Sequence, residues 1–186
     1  MYEIYLQSFV LYFVVIDPFG TTPIFMSLTK HQNAKEKIKS AFEGVLTATI
    51  ILIFFSIVGN FLLSYLNISL GAFKIAGGII LFIISLEMLF DKRQERKEKD
   101  IENVSNNIAI FPLAIPLLSG PAAITSVIVI VSQFGHNLTY QLIGTISLLS
   151  VMLITFILFF IVSKSCLLYT SPSPRDATLS RMPSSA

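Results

Sequence analysis

The chain has 186 residues, of which 54% are hydrophobic and 13% charged, with a formal net charge of +2. A soluble domain carries about 25% charged residues, so this chain has too little charge to cover a soluble surface of its size. With a mean hydropathy of +0.77 and several apolar runs of ~20 residues, the composition excludes an ordinary soluble domain and leaves a polytopic membrane protein.

The first span covers about residues 4–28. It lacks a basic leader and carries Asp17-Pro18 in its middle, so it reads as a retained span rather than a cleaved signal. Its centre is the run Asp17-Pro18-Phe19-Gly20-Thr21-Thr22-Pro23. Pro18 removes a backbone donor and disfavours helix at the residue before it, and Gly20 loosens the chain further. Thr22-Pro23 carries the signature of a helix restart, Thr as N-cap and Pro in the first helical position. In lipid, broken backbone is tolerated only where it is buried in protein or lines a polar cavity. The run therefore predicts a functional break, against the simpler reading of a proline kink.

Residues 30–40 read as a basic loop, with Lys30, Lys35, Lys37 and Lys39 against Glu36. The second span covers about 41–66. Glu43 near its start reads as an interfacial carboxylate in the first turn, favoured by the helix dipole. Asn60 near its far end reads as an interhelical hydrogen-bonding residue. The third span covers about 70–90. Gly71, Ala76, Gly77 and Gly78 would let another backbone approach closely. Lys74 and Glu87 lie ~20 Å apart along a helix and cannot pair. Each would either snorkel to its own interface or join a polar or coupling network with Asp17 and Asn60.

Residues 91–107 read as a solvated connector. The fourth span, about 108–133, holds the second break: Pro112 and Pro116 precede Ser119-Gly120-Pro121. Setting Pro116 on Pro18 also sets Pro121 on Pro23. Two such interruptions in corresponding segments point to a transporter-type binding site. The fifth span covers about 140–162. The single cysteine, Cys166, excludes an internal disulfide. His31 and His136 fall in loops without partners at metal-ligand spacing, and no phosphate loop or catalytic triad occurs. No enzyme activity, resident cofactor, metal or nucleic-acid partner is expected.

After Lys164-Ser165 the composition changes abruptly. Residues 166–186, from Cys166-Leu167-Leu168-Tyr169-Thr170-Ser171-Pro172 onward, resemble the in-frame translation of a transposon-type sequencing-library adapter. They are set aside from the fold as a disordered tail, and the natural protein is expected to continue past Ser165. Lys and Arg cluster in 30–40, in 91–107 and at Lys164. The positive-inside rule then places the N-terminus outside and both loops in the cytoplasm.

The residues Phe13 to Leu28 around Asp17-Pro18-Phe19-Gly20-Thr21-Thr22-Pro23 resemble the first-span signature of the MarC family of bacterial and archaeal membrane proteins. Ala76-Gly77-Gly78-Ile79-Ile80-Leu81-Phe82 and Pro112-Leu113-Ala114-Ile115-Pro116-Leu117-Leu118-Ser119-Gly120-Pro121 are similar to its two other hallmarks. The resemblance covers about residues 1–165. It implies an all-α inner-membrane helix bundle built as an inverted three-plus-three repeat, with the sixth span missing from this chain. It also implies, for some members, transport of small neutral amino acids.

The expected function is secondary transport of such an amino acid, held between discontinuous helices near the bilayer midplane. Amides at Thr22-Pro23 and at Ser119-Gly120-Pro121 would receive the substrate carboxylate at half-helix starts. Gly20 would open the chain, and Thr21, Thr22 and Ser119 would add hydroxyls. Asp17 would meet the substrate ammonium, a sodium ion or a proton. Pro18, Pro116, Gly77 and Gly78 would shape the breaks and the packing. The alternative is a non-transporting membrane protein, a stress or assembly factor, in which Pro and Gly only shape close packing.

Overall fold

The computed structural model describes residues 1–89, 109–133 and 137–165. The expected connector 91–107, the tail 166–186, His136 and the side chain of Glu87 lie outside the described residues. The described residues form helices and no strand: α1 Tyr2–Ile16, α2 Pro18–Leu28, α3 Ala34–Tyr65, α4 Leu70–Leu89, an irregular proline segment Ala109–Leu118, α5 Pro121–Gln133 and α6 Leu138–Ser165.

Three stretches are long and apolar enough to cross a membrane: Tyr2–Leu28, Ala34–Tyr65 and Leu138–Lys164. The proline segment and α5 make a fourth, bent by 56°, and Leu70–Ile83 is a shorter apolar helix. At ~1.5 Å per residue a 27-residue run is roughly 40 Å long, enough for a hydrocarbon core of ~30 Å. The protein is an all-helical polytopic membrane bundle.

Its burial pattern is that of a bundle solvated by lipid. Large apolar side chains point outward: Ile50, Phe54, Ile57 and Phe61 on α3, and Leu142, Ile146, Leu149 and Leu153 on α6. The buried side of α3 is built largely from small residues, among them Ser40, Ala41, Gly44, Ala48 and Gly59. Lipid is as apolar as leucine, so close packing between backbones holds such helices together. A Cβ at Gly44 would run into Leu113, and one at Gly59 into Ile128. These two glycines bring α3 down onto the proline segment and α5.

The packing is reciprocal. α3 lies along the proline segment and α5, α6 lies along α1 and α2, and α3 and α6 meet each other. α1 also packs on α5, α2 touches the proline segment, and α4 rests on α5. Phe25 of α2 stacks on Phe159 of α6 with ring centroids 4.3 Å apart. The Tyr5 hydroxyl donates to Ser150 Oγ at 3.1 Å, tying α1 to α6.

The basic loop is shorter than expected. α3 begins at Ala34 because Asn33 and Glu36 form a capping box: Glu36 N–H donates to Asn33 Oδ1 and Asn33 N–H to Glu36 Oε2, both at 2.9 Å. Lys35, Lys37 and Lys39 therefore ride on the first turns of α3 rather than in a loop. Glu43 is not in the first turn; Glu36 is. Glu43 lies well inside the helix, 3.7 Å from Lys39 in an exposed pair.

Candidate functional site: two interrupted spans

Asp17 is the hinge of the first span. Its backbone sits at φ 53°, ψ 69°, the left-handed region, which Asp and Asn enter more readily than bulkier side chains. Its N–H ends α1 by donating to Phe13 O at 2.9 Å, and its carbonyl begins α2 by accepting from Thr21 N–H at 3.0 Å. The carboxylate turns back over the new helix and accepts from Gly20 N–H at 3.0 Å. A Cβ on Gly20 would collide with that carboxylate, so glycine here is what lets Asp17 cap its own helix.

The helix thus restarts at Asp17-Pro18, not at Thr22-Pro23. Asp17 is the N-cap and Pro18 the first helical residue, while Pro23 lies inside α2. The expected amide donors at Thr22-Pro23 are therefore not at a half-helix start. The Thr21 hydroxyl donates to Asp17 O at 2.9 Å and lies 3.2 Å from Pro18 O. Thr22 donates to Pro18 O at 2.7 Å.

The second break is more severe. Phe111 (φ −129°, ψ 126°) and Ile115 (φ −123°, ψ 124°) are extended inside the proline segment, and each precedes a proline that disfavours helix at that position. The segment closes where Ser119 returns to Ala114: its N–H donates to Ala114 O at 2.9 Å and its hydroxyl donates to the same oxygen at 2.8 Å. Gly120 follows. A Cβ there would meet the Pro116 carbonyl oxygen at 2.6 Å. α5 then starts, with Ile124 N–H donating to Gly120 O at 3.1 Å.

These starts share one local construction. Pro18 and Pro121 are each the first residue of the second half-helix. Thr22 donates to Pro18 O at 2.7 Å, and Thr125 donates to Pro121 O at 2.8 Å. Role in the fold thus sets Pro121 on Pro18 and Gly120 on Asp17. The expected register, Pro116 on Pro18, is displaced; Pro116 belongs to the irregular segment before the restart. Because α1 packs on α5 and α2 touches the proline segment, the first half of each span meets the second half of the other, and the two spans run antiparallel.

The other candidate residues distribute as follows. Thr21 and Ser119 are buried, Gly20 and Thr22 half-buried, and Pro23 exposed. An open apolar groove of about 430 Å³ lies on the outer surface between α3 and the second break, lined by Ile50, Ile51, Phe54, Phe55, Ile115, Ser119 and Ile124. Of the candidate residues only Ser119 lines it; Asp17, Thr21 and Thr22 do not. Asn60 accepts a short hydrogen bond from the Ser132 hydroxyl of α5. Lys74 is exposed. Gly77 is buried against Thr125, whereas nothing lies within 4 Å of a Cβ on Gly78. Sequence reasoning missed Thr125. Its signal was present: Thr125 follows Pro121 at the spacing by which Thr22 follows Pro18.

Two proline-headed half-helices inside an apolar bundle define an integral membrane protein with discontinuous spans. The chain belongs to the MarC family: the family profile described as MarC family integral membrane protein matches residues 2–170. It is 36% identical over 156 residues to a UPF0056 membrane protein of Methanocaldococcus jannaschii, covering 81% of this chain and 68% of the relative. It is 39% identical over 134 residues to one of Archaeoglobus fulgidus, covering 70% and 63%. It is 34% identical over 143 residues to one of Escherichia coli K12, covering 75% and 66%. The chain thus spans about two thirds of the length of these curated relatives. Their names state a membrane protein and no substrate. No solved structure matches.

Proposed function

We propose that the protein is a secondary transporter of small neutral amino acids in the cytoplasmic (inner) membrane, with substrate held near the midplane between the two breaks. The observation that carries this reading is the unlike start of two matched half-helices. α2 begins under a carboxylate, Asp17. α5 begins after Gly120, which has no side chain with which to cap it, while the neighbouring Ser119 hydroxyl is turned back to Ala114 O. A zwitterion complements that pair: its ammonium toward Asp17, its carboxylate toward the first-turn amides of Ala122 and Ala123 at the positive end of α5. The Thr21 and Thr22 oxygens keep lone pairs for an ammonium donor. A sodium ion or a proton is the other assignment for the Asp17 carboxylate.

The shared local construction and the antiparallel packing of the two spans support reading the chain as inverted repeats, the layout in which transporters place substrate at the repeat interface. The Lys and Arg distribution supports an external N-terminus with residues 30–40 and 91–107 cytoplasmic.

The test is uptake of labelled glycine or alanine into proteoliposomes under an imposed sodium or proton gradient. Gradient-driven uptake that Asp17→Ala abolishes is the expected result. Uptake unchanged in Asp17→Ala removes Asp17 from the mechanism, and no uptake of any small neutral amino acid removes the transport reading.

One observation favours a second reading. Thr21, Thr22 and Ser119 all donate their hydroxyl protons to backbone carbonyls of their own elements, as expected of residues that only stabilise kinked helices. A non-transporting membrane protein, a stress or assembly factor, would use them so. Such a protein shows no thermal shift with glycine, alanine or serine, whereas a carrier is stabilised by its substrate.

A further inference from the structure

We propose that Lys37 anchors a phosphate-binding site at the end of the bundle where α3 begins, and that the phosphate it takes is the headgroup of an anionic phospholipid. The inference stands apart from the transport reading and rests on the state of one lysine.

Lys30, Lys35, Lys39, Lys74 and Lys164 are all exposed, as lysines generally are. Lys37 is only 8% exposed. Burying an ammonium is costly unless a partner compensates it. Among the described residues, however, the Lys37 ammonium makes no ion pair and no hydrogen bond. The two carboxylates of its own helix are engaged elsewhere. Glu36 accepts from Asn33 N–H at 2.9 Å, and Glu43 faces Lys39 at 3.7 Å. The anion that balances Lys37 therefore has to come from outside the described chain.

The surroundings of Lys37 suit an oxyanion. Asn33, Lys37, Ser40 and Ala41 fall on one face of α3 at helical spacing, and Ser40 and Ala41 are buried. The turn before the helix is tied down along that face, because the Ser40 hydroxyl donates to Gln32 Oε1 at 3.1 Å. With that oxygen engaged, the Gln32 amide nitrogen is left to donate, and it makes no hydrogen bond among the described residues. The N-terminus of α3 adds the positive end of its dipole, which disfavours a cation there and favours an anion.

Depth selects the source of the phosphate. The apolar part of α3 begins at about residue 41, so at ~1.5 Å per residue Lys37 lies ~6 Å nearer the surface. That is within the headgroup layer, which adds roughly 5–8 Å to each side of the hydrocarbon. Long side chains lean toward the N-terminus of their helix, which for α3 is the surface side. The exposed Lys30, His31 and Lys35 attract any anionic membrane surface, whereas Lys37 and Gln32 give one phosphate a fixed place.

The test is thermal unfolding of the chain in dodecyl maltoside, titrated with phosphatidylglycerol, with diacylglycerol of the same chains, or with inorganic phosphate. A ligand that binds the folded state raises the midpoint, and the titration gives an apparent Kd. The buffer holds ~1 M sodium chloride, where the Debye length is ~3 Å and attraction to exposed lysines is screened. Phosphatidylglycerol is expected to stabilise the chain, and diacylglycerol is not. Lys37→Gln, which keeps the stem and loses the charge, should weaken phosphatidylglycerol about tenfold or more, as loss of a charge-assisted hydrogen bond does. Lys37→Arg should retain binding, and Lys35→Gln should leave it unchanged. A Lys37-dependent shift with phosphatidylglycerol but not with inorganic phosphate assigns the site to the headgroup. An equal Lys37-dependent shift with inorganic phosphate keeps the phosphate site and overturns the lipid as its source. No shift with either phosphate compound overturns the proposal. So does a shift that Lys37→Gln leaves in place, that Lys35→Gln weakens equally, or that diacylglycerol reproduces.

Discussion

Gly20 and Asp17 form a closed unit: the Gly20 N–H donates to the Asp17 carboxylate at 3.0 Å, and a side chain at position 20 would displace that carboxylate. The unit holds a left-handed residue at φ 53° in the middle of an apolar span. Asp17→Asn keeps both the capping oxygen and the tolerance for left-handed backbone. Its stability is expected within about 0.5 kcal/mol of the parent, since Asn and Asp cap equally well. Asp17→Ala loses the cap, worth about 0.5–2 kcal/mol, and places a Cβ residue in left-handed backbone at roughly 1–2 kcal/mol. Thermal unfolding in detergent, comparing the two variants, checks the order Asn above Ala. An Asn variant as unstable as Ala would mean that the cap is not what holds the break.

Gly120 faces a harder obstacle than Gly20. The atom in the way is the Pro116 carbonyl oxygen, 2.6 Å from the position of a Cβ, and it is backbone rather than the end of a side chain. It cannot move without opening the turn in which Ser119 N–H and hydroxyl both reach Ala114 O. Gly120→Ala is therefore expected to lose about 1–3 kcal/mol, the range for forced overpacking. The loss should exceed that of Gly20→Ala, where the carboxylate can swing aside. Equal losses in parallel unfolding curves would contradict this ranking.

Much of this architecture could be read from residue order, and the misreadings have physical causes. Spans showed themselves because lipid-facing helices are apolar all round, and the breaks because Asp-Pro and Pro-x-x-x-Pro runs cannot continue a regular helix. The restart point in the first span went astray because Asp17-Pro18 and Thr22-Pro23 carry the same signature, a capping side chain followed by proline. The earlier pair takes the role, and Pro23 then sits within a helix already begun. In the fourth span, Pro112, Pro116 and Pro121 are three candidates for one helix start, and equal spacing alone picked Pro116 to match Pro18. The extended backbone at Phe111 and Ile115 marks the first two as breakers and leaves Pro121 as the start. The start of α3 was set too late because the charged residues 35–39 looked like a loop. Asn33 and Glu36 close a capping box that lets those charges ride on the helix. The partners across helices, such as Gly77 with Thr125 or Phe25 with Phe159, had no local signal, because they depend on which spans meet.

Asn60 and Ser132 join α3 to α5 through a side-chain hydrogen bond, while the Ser132 hydroxyl also lies within hydrogen-bond distance of Ile128 O, at 2.6 Å. A double-mutant cycle of Asn60→Ala and Ser132→Ala is expected to give a coupling of about 0.6 kcal/mol and no more than ~1.7 kcal/mol, the range for such bonds within membranes. If Asn60 served a ligand instead, the cycle would show no coupling to Ser132 and the single variant would alter substrate response without altering stability. Unfolding in graded detergent mixtures supplies the four free energies.

The Phe25 and Phe159 rings lie 4.3 Å apart and nearly parallel, at 8°, and both side chains are fully buried. They fix α2 to α6 just past the first break, so the second half of the span is positioned by this contact as much as by the Asp17 cap. Phe25→Ala or Phe159→Ala removes a large side chain from a packed seam, and each is expected to cost about 3–5 kcal/mol. The rings also act on each other. The coupling between the two substitutions should be about 0.5–1.5 kcal/mol, the excess that aromatic pairs show beyond the area they bury. Phe159→Leu keeps most of the volume without the ring. It should lose less than Phe159→Ala, and the coupling to Phe25 should disappear. The cycle is measured by equilibrium unfolding in mixed micelles. Full additivity of the two alanine variants would show that α2 is held at this depth by its other contacts.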